Sequence, residues 1–230
     1  MTIKKKNAND FYIGFEVECI INKKLKRRQL RDCLDAIYPG IEIGDDYSIG
    51  FSCSPSEYPA YSAELRTPPL KGELSFKVLE KVFNLLKEFG QTNCTCGLHV
   101  NISPVDKSKL DKYNYAYIAM HPVFEEIVYE FGRQDCDYCI PNCIPKAANF
   151  WINLLYTDCD EDGFIYSEKS AAINLSNADT SDTPIKYARI EVRAFGNVDY
   201  HYKITKIKRY TYKVLKVIRR SLDYQFDYMK

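Results

Sequence analysis

Residues 11–21 read FYIGFEVECII, and the alternation inside that stretch decides how the chain folds. Side chains at i and i+2 of a strand point to one face. Glu16 and Glu18 therefore share a face, with Phe15, Val17 and Cys19 opposite. Two further segments repeat the pattern. CGLHVNIS at 96–103 groups His99 with Asn101, opposite Leu98, Val100 and Ile102. YARIEVRAF at 187–195 groups Arg189, Glu191 and Arg193, opposite Ala188, Ile190, Val192 and Ala194. If these strands join one sheet, one face is oily and the other carries three glutamates, a histidine and two arginines. That composition suits divalent cations and phosphates held together. A half-buried strand with a merely solvated polar side alternates in the same way. The residue types argue against that reading. A solvated face draws Lys, Thr, Ser and Gln, and neighbouring carboxylates repel unless a cation lies between them.

Around these strands the pattern predicts helices. Residues 26–38 place Leu30, Cys33, Leu34 and Ile37 on one stripe, and Pro39-Gly40 stops the helix. Residues 41–67 hold short strands broken by the turn-rich SCSPSEYP, and Pro68-Pro69 forces a break. Residues 72–89 form a second helix, with Gly90 as its stop. A third stretch, 106–131, is helical, with Pro122 kinking or splitting it. A cysteine loop at 133–145, a short helix at 146–156 around Trp151, an acidic loop at 158–163 and a strand at 170–175 follow. A polar loop at 176–184 precedes the Arg-x-Glu-x-Arg strand, and a basic helix at 199–223 closes the chain. No repeat or linker divides residues 1–230, so one α+β domain is expected: a curved, mostly antiparallel sheet with helices on one face.

Composition sets the bounds. With 46% hydrophobic residues, 19 Tyr and 12 Phe, the 230 residues can bury a large core. A net charge of +1 supplies no global field toward nucleic acid or membrane. The eight Lys and Arg between 203 and 220 come without an acid, but Ile204, Ile207, Leu215, Ile218 and Leu222 form a stripe that packs on the sheet. No signal peptide and no apolar run of the ~18 residues a membrane helix needs is visible, so a cytoplasmic protein is expected. Nine cysteines is an odd count, which disfavours a disulfide framework. Cys136, Cys139 and Cys143 have the spacing of an incomplete zinc site; reduced, unligated thiols are the competing reading.

A series of motifs in order, from about residue 12 to about residue 200, resembles the amidoligases, a branch of the carboxylate–amine ligase group. GFEVE resembles the family's G-x-E-x-E strand. DDYSIG and AELRTPPLKG resemble its D-x-S and Glu-x-x-(Ser/Thr)-Pro segments. CGLHVNIS resembles its C-G-L-H-V-(H/N) strand, and FGRQD with the nearby YC its R…Y-C region. SAAINLS and ARIEVRAFGNVDY resemble its A-x-N-L strand and its T-x-E-F-R-x-F-x-G-T-x-D ending.

The resemblance implies a glutamine synthetase-like catalytic domain. ATP would phosphorylate a carboxylate, and an amine would displace phosphate from the acyl phosphate to leave an amide or isopeptide bond. It implies Glu16, Glu18, His99 and Glu191 as ligands for Mg²⁺ or Mn²⁺, with Glu64 a further ligand or a substrate contact. Arg193 would clamp the phosphoryl group, and Arg189 would do the same or bind a substrate carboxylate. Asn101 would hold a metal-bound water or substrate. Asp46 and Ser48 would position the amine, with Asp46 taking its proton. Arg189, Arg193, Asn101 and Ser48 make up the expected cofactor-binding set. The family often carries a second His where this chain has Asn101, and an amide is a poorer metal ligand than imidazole. Arg133 is a further candidate contact to nucleotide or substrate.

The expected partners are a small carboxylate and an amine, as amino acid, peptide or protein side chain; an oligomer is compatible with the pattern. Three other readings compete: a non-catalytic nucleotide- or metabolite-binding module, a metal-dependent hydrolase or phosphotransferase, and a nucleic-acid binder with an incidental acidic pocket. The first binds ATP without turnover, the second releases product without an amine, and the third binds through the basic ends in a salt-dependent way. Specificity is expected in the loops at 51–60, 133–145 and 158–184.

Overall fold

The computed structural model describes residues 5–50, 60–105, 112–136, 139, 171–174 and 189–223. The expected helix at 146–156 and the loops at 158–163 and 176–184 lie outside them, as do most of the loop at 51–60 and Cys143. Within them the order is β1 (Phe11–Asn22), α1 (Arg27–Ile37), β2 (Glu42–Gly44), β3 (Ala60–Arg66), β4 (Leu70–Lys71), α2 (Glu73–Phe89), β5 (Gly90–Gln91) and β6 (Gly97–Pro104). Then come α3 (Lys112–Ala119), α4 (Val123–Phe131), β7 (Ile173–Asn174), β8 (Ile190–Gly196), a 3₁₀ turn (Tyr200–Tyr202) and α5 (Ile204–Asp223).

The strands form an α+β architecture's single antiparallel sheet, ordered β2-β3-β1-β6-β8-β7, with β4 and β5 also paired to β1. β1 is long and apolar because both its edges are paired: β3 and β4 on one side, β6 and β5 on the other. Phe15, Val17 and Cys19 are fully buried beneath the helices. The ring of Phe15 meets Phe76 of α2 at 5.7 Å, and Phe195 of β8 meets Phe131 of α4 at 5.3 Å. α5 packs against α2, α3 and α4, completing a helical layer on one face. The other face is left to the charged residues.

Three local details refine the pattern, two as expected at Pro122 and Gly90 and one shifting the start of the closing helix. The stretch at 106–131 is split: α3 ends at Ala119 and α4 begins at Val123, just after Pro122. Pro122 has no N–H to continue the earlier helix but tolerates the start of a new one. The closing helix begins at Ile204 rather than 199, because Asn197 and Asp199 hold positive φ values of 82° and 56° that no right-handed helix accepts. Gly90 ends α2 in an extended conformation. It is there for close approach: a Cβ would lie 2.8 Å from Leu86 Cδ2 and 3.2 Å from the Ile20 carbonyl.

The basic helix is neutralised by its neighbours. Lys206 pairs with Glu130, Lys208 with Glu73, Lys213 with Glu126 and Arg219 with Asp10. Among the described residues no helix is long and apolar enough to cross a membrane.

Behind the charged face, Tyr200 is fully buried and its hydroxyl donates to the Glu18 carbonyl at 2.7 Å. Tyr200→Phe leaves that carbonyl without its buried donor. The expected loss is about 1–2 kcal/mol, read as a fall in melting temperature of roughly 3–8 °C.

Candidate active site

Strand register builds the charged face row by row. Glu16 aligns with Arg66 of β3 on one side and His99 of β6 on the other; Glu18 aligns with Glu64. Asn101 aligns with Glu191 of β8. Between Leu98 and Val100 the ladder shifts: Leu98 faces Phe195, while Val100 faces Val192. Two residues of β8, Arg193 and Ala194, thus oppose the single His99. This bulge corrects the strict alternation expected for 187–195, because beyond it Phe195 turns onto the oily face.

His99 is the centre. Its Nδ1 lies 3.3 Å from Glu16 Oε2 and 3.5 Å from Glu191 Oε1, and its Nε2 lies 3.2 Å from Glu18 Oε1. Two sets of donor atoms, Glu16–His99–Glu191 and Glu18–Glu64–His99, each fall within 4.8 Å of one another. Four carboxylates are hard donors that fit Mg²⁺ or Mn²⁺, and the one imidazole, a borderline donor, suits Mn²⁺ better than Mg²⁺. Since both sets use the same ring, a neutral His99 can ligate an ion through one nitrogen while the other N–H donates to a carboxylate.

The carboxylates are held from outside the cluster. Asn101 Nδ2 donates to Glu16 Oε1 at 2.9 Å, and Arg189 Nε donates to Asn101 Oδ1 at 2.9 Å. The Asn174 amide donates to Glu191 Oε2 at 3.1 Å, and Arg193 Nη1 to Glu191 Oε1 at 2.7 Å. The backbone N–H of Gly97 donates to Glu18 Oε2 at 2.5 Å. Arg66 pairs with Glu64. The structure thus places Asn101 and Arg189 as a relay behind Glu16.

A cavity of about 700 Å³ opens over this face, lined by Glu16, Glu18, Glu64, His99, Arg66 and Arg193 among others. Asp46 and Ser48 also line it. Asp46 Oδ1 accepts from the Ser48 backbone at 2.8 Å and from its hydroxyl at 2.6 Å. Arg133 is buried, with Nη1 donating to the carbonyls of Cys96 and Phe195 and Nη2 meeting Cys136 Sγ at 3.2 Å. Its guanidinium joins the starts and ends of the site strands. Cys139 donates to the Arg133 carbonyl at 3.3 Å. With Cys143 outside the described residues, no cysteine belongs to a three-ligand group among those described.

Arg66 and Asp45 line the cavity without being among the residues expected from the sequence. The i+2 spacing of Arg66 from Glu64 is the signal that finds it, and Asp45 pairs with Arg27.

The electrostatics record how crowded the carboxylates are. Burial pushes Glu16 up, but hydrogen bonding and charge from His99, aided by Asn101, bring it down to about 2. Burial and the charge of Glu16 push Glu64 up to about 7, against the pull of Arg66. For Glu64, raised above its ordinary 4.5, the stabilising contribution is complete below pH 4.5 and is lost as pH rises through 7. Glu16, lowered from 4.5, contributes above pH 4.5 and loses that contribution as pH falls toward 2. The ion-free protein is therefore expected to lose roughly 2 kcal/mol between pH 4.5 and 7. Melting curves in chelator across that range check it, with Glu64→Gln flattening the dependence and Mn²⁺ restoring stability at pH 7.

An open antiparallel sheet with an oily, helix-covered face and a glutamate–histidine–arginine face defines an α+β protein whose charged cluster could hold a metal ion. The chain belongs to the family described as "Putative amidoligase enzyme", whose model matches residues 8–143. That membership supports a ligase-type function. Glu191 and Arg193 lie beyond the matched residues, yet β8 brings them against Glu16 and His99. A solved structure described as "Crystal structure of novel glutamine synthase homolog" is similar at 12% identity and a TM-score of 0.43, over 93% of this chain and 55% of its own. The chain thus spans about half the length of that protein. No curated protein matches the sequence.

Proposed function

We propose that the chain is an ATP-dependent carboxylate–amine ligase, with residues 1–230 acting as one catalytic domain. The observation that supports this most is the pair of ligand sets sharing His99. Desolvated carboxylates in such numbers are costly to hold together unless they serve cations. Glu16, Glu18, Glu64, His99 and Glu191 would hold Mg²⁺ or Mn²⁺. Bound there, the ions would neutralise the phosphate oxygens of ATP.

In this reading a carboxylate oxygen of the acid substrate attacks the γ-phosphorus and ADP leaves. The amine nitrogen then attacks the acyl carbon, phosphate leaves, and the nitrogen loses a proton. The protein's tasks are positioning and charge compensation. Arg193 is suited to the phosphoryl group: Nη1 is fixed on Glu191, and its buried Nε has no partner among the described residues. Arg189 and Asn101 orient Glu16. Asp46, steadied by Ser48, stands at the cavity wall where an amine can be received and its proton taken. The acid is read as an amino acid, a peptide or a protein side chain.

The test is ADP release with Mg²⁺ and ATP against pools of amino acids and polyamines. Release that requires both an acid and an amine is expected. Arg193→Ala is expected to lower kcat by roughly 10²–10³-fold with a smaller change in KM. ATP binding without turnover from any pool would favour the binding module, and ADP release without an amine would favour a hydrolase.

A further inference from the structure

Arg66 has no task in the mechanism above, and its position gives it one. The Glu-x-Arg spacing of Glu191 and Arg193 on β8 is repeated by Glu64 and Arg66 on β3. Register aligns Arg66 with Glu16 and Glu16 with His99, while the β8 bulge sets Arg193 against His99. One row across five strands therefore runs Glu42, Arg66, Glu16, His99, Arg193, with an arginine on each side of the Glu16–His99 pair. Neighbouring strands are about 4.8 Å apart, so the two arginine positions are about 14 Å apart.

Among the described residues three arginines line the cavity, and they differ in what they can offer a ligand. Arg133 is 4% exposed and occupied by carbonyls and Cys136. The Arg193 side chain is 15% exposed and fixed on Glu191. The Arg66 side chain is 48% exposed, and its one ion-pair partner among the described residues is Glu64, met through Nη2. A guanidinium carries five N–H donors in a fork that matches a carboxylate. Glu64 holds one arm of that fork, the guanidinium lies over Gly44 of β2, and the half-exposed side chain lines the cavity.

We propose that Arg66 anchors a second, non-reacting carboxylate of the acid substrate, so that the site selects acids with two carboxylates over acids with one. The proposal rests on the ligase reading, which places the reacting carboxylate at the glutamate–histidine cluster beside Arg193. A second carboxylate on the same molecule then meets Arg66, the most exposed of the cavity arginines among the described residues. A flexible acid with a single carboxylate leaves that fork unfilled.

Calorimetry on the full chain with Mg²⁺ tests this, using dicarboxylates from succinate to pimelate against monocarboxylates of equal length. At least one diacid is expected to bind about tenfold or more tightly than its monoacid. Arg66→Gln should bring the two within about twofold, and Arg66→Lys should recover part of the difference by restoring charge without the fork. Equal binding by the wild-type protein would overturn the proposal. So would discrimination that survives in Arg66→Gln, or a loss confined to Mg²⁺–ATP binding. Melting curves establish that each variant is folded, and Arg66→Lys carries the test if Arg66→Gln is not. ADP release on the same samples separates the two readings. Discrimination without acid-dependent release contradicts the ligase and leaves the anion clamp. Release at equal rates with monoacids and diacids contradicts the clamp and leaves the ligase.

Discussion

Glu16→Gln is expected to reduce acid- and amine-dependent ADP release by roughly 10³-fold or more while the protein stays folded, a loss of about 4 kcal/mol in transition-state stabilisation. Glu16 lies on the central strand of the cluster: it faces His99 Nδ1 at 3.3 Å and accepts from Asn101 at 2.9 Å. Its low value of about 2 keeps it charged, as a cation ligand must be. Gln preserves the shape and one acceptor oxygen but removes the charge. In the absence of divalent ions the substitution removes the stabilisation that His99 and Asn101 give the charged carboxylate. Relieved repulsion with Glu64 offsets part of this, so the melting temperature should fall modestly while the fold is kept. Added Mn²⁺ should then stabilise the variant less than the wild type. A variant that unfolds, or that keeps full turnover, would contradict the placement of the reaction at this face.

Gly196→Ala is expected to produce the largest loss of stability, more than about 4 kcal/mol, or a drop of at least roughly 10 °C in melting temperature. Gly196 has φ +136°, and a Cβ there would lie 2.1 Å from Arg133 Nη1, 2.5 Å from the Cys96 carbonyl and 2.8 Å from Gly97 Cα. Two of those three atoms are backbone. The third belongs to a guanidinium already held by the Phe195 carbonyl and Cys136. None can retreat without opening the β6–β8 pairing that carries His99 and Glu191. Gly40→Ala is the control: φ is +89°, but nothing lies within 4 Å of the added carbon. It should cost only about 1–2 kcal/mol of backbone strain. Equal melting shifts in the two variants would mean that the crowding around Gly196 is not what holds the strand ends together.

The candidate site was largely legible because its residues sit on strands, where a local rule assigns the face. Glu16 with Glu18, His99 with Asn101, and Glu191 with Arg193 are each two residues apart, and the structure gathers all six on the open side of the sheet. Arg66 obeys the same rule, two residues after Glu64 and just before the segment's Thr-Pro ending. That ending has its own structural use. Thr67 Oγ1 accepts the Phe15 N–H at 2.8 Å, and the Thr67 N–H reaches the Phe15 carbonyl at 2.8 Å, just before Pro68 and Pro69 remove two donors from the ladder. The part played by Arg133 was not legible. A buried arginine holding carbonyls on two strands looks, in one dimension, like any arginine after a glycine.

Periodicity acts over two to four residues, through the geometry of the pleat and the helical turn. The sequence by itself therefore determined which residues share a face, where Pro39, Pro68 and Pro122 interrupt the chain, and that the fold is a helix-covered antiparallel sheet. Tertiary structure alone decided that β3, β1, β6 and β8 lie side by side, and that the β8 bulge sets Arg193 against His99. It also decided that His99 faces glutamates from two other strands and that Glu64 is the carboxylate pushed up. Those facts depend on partners 83 residues apart for Glu16 and His99, and 182 apart for Glu18 and Tyr200. Cross-strand register is set by how the whole core closes, because a slip of one residue would turn every glutamate into the oil.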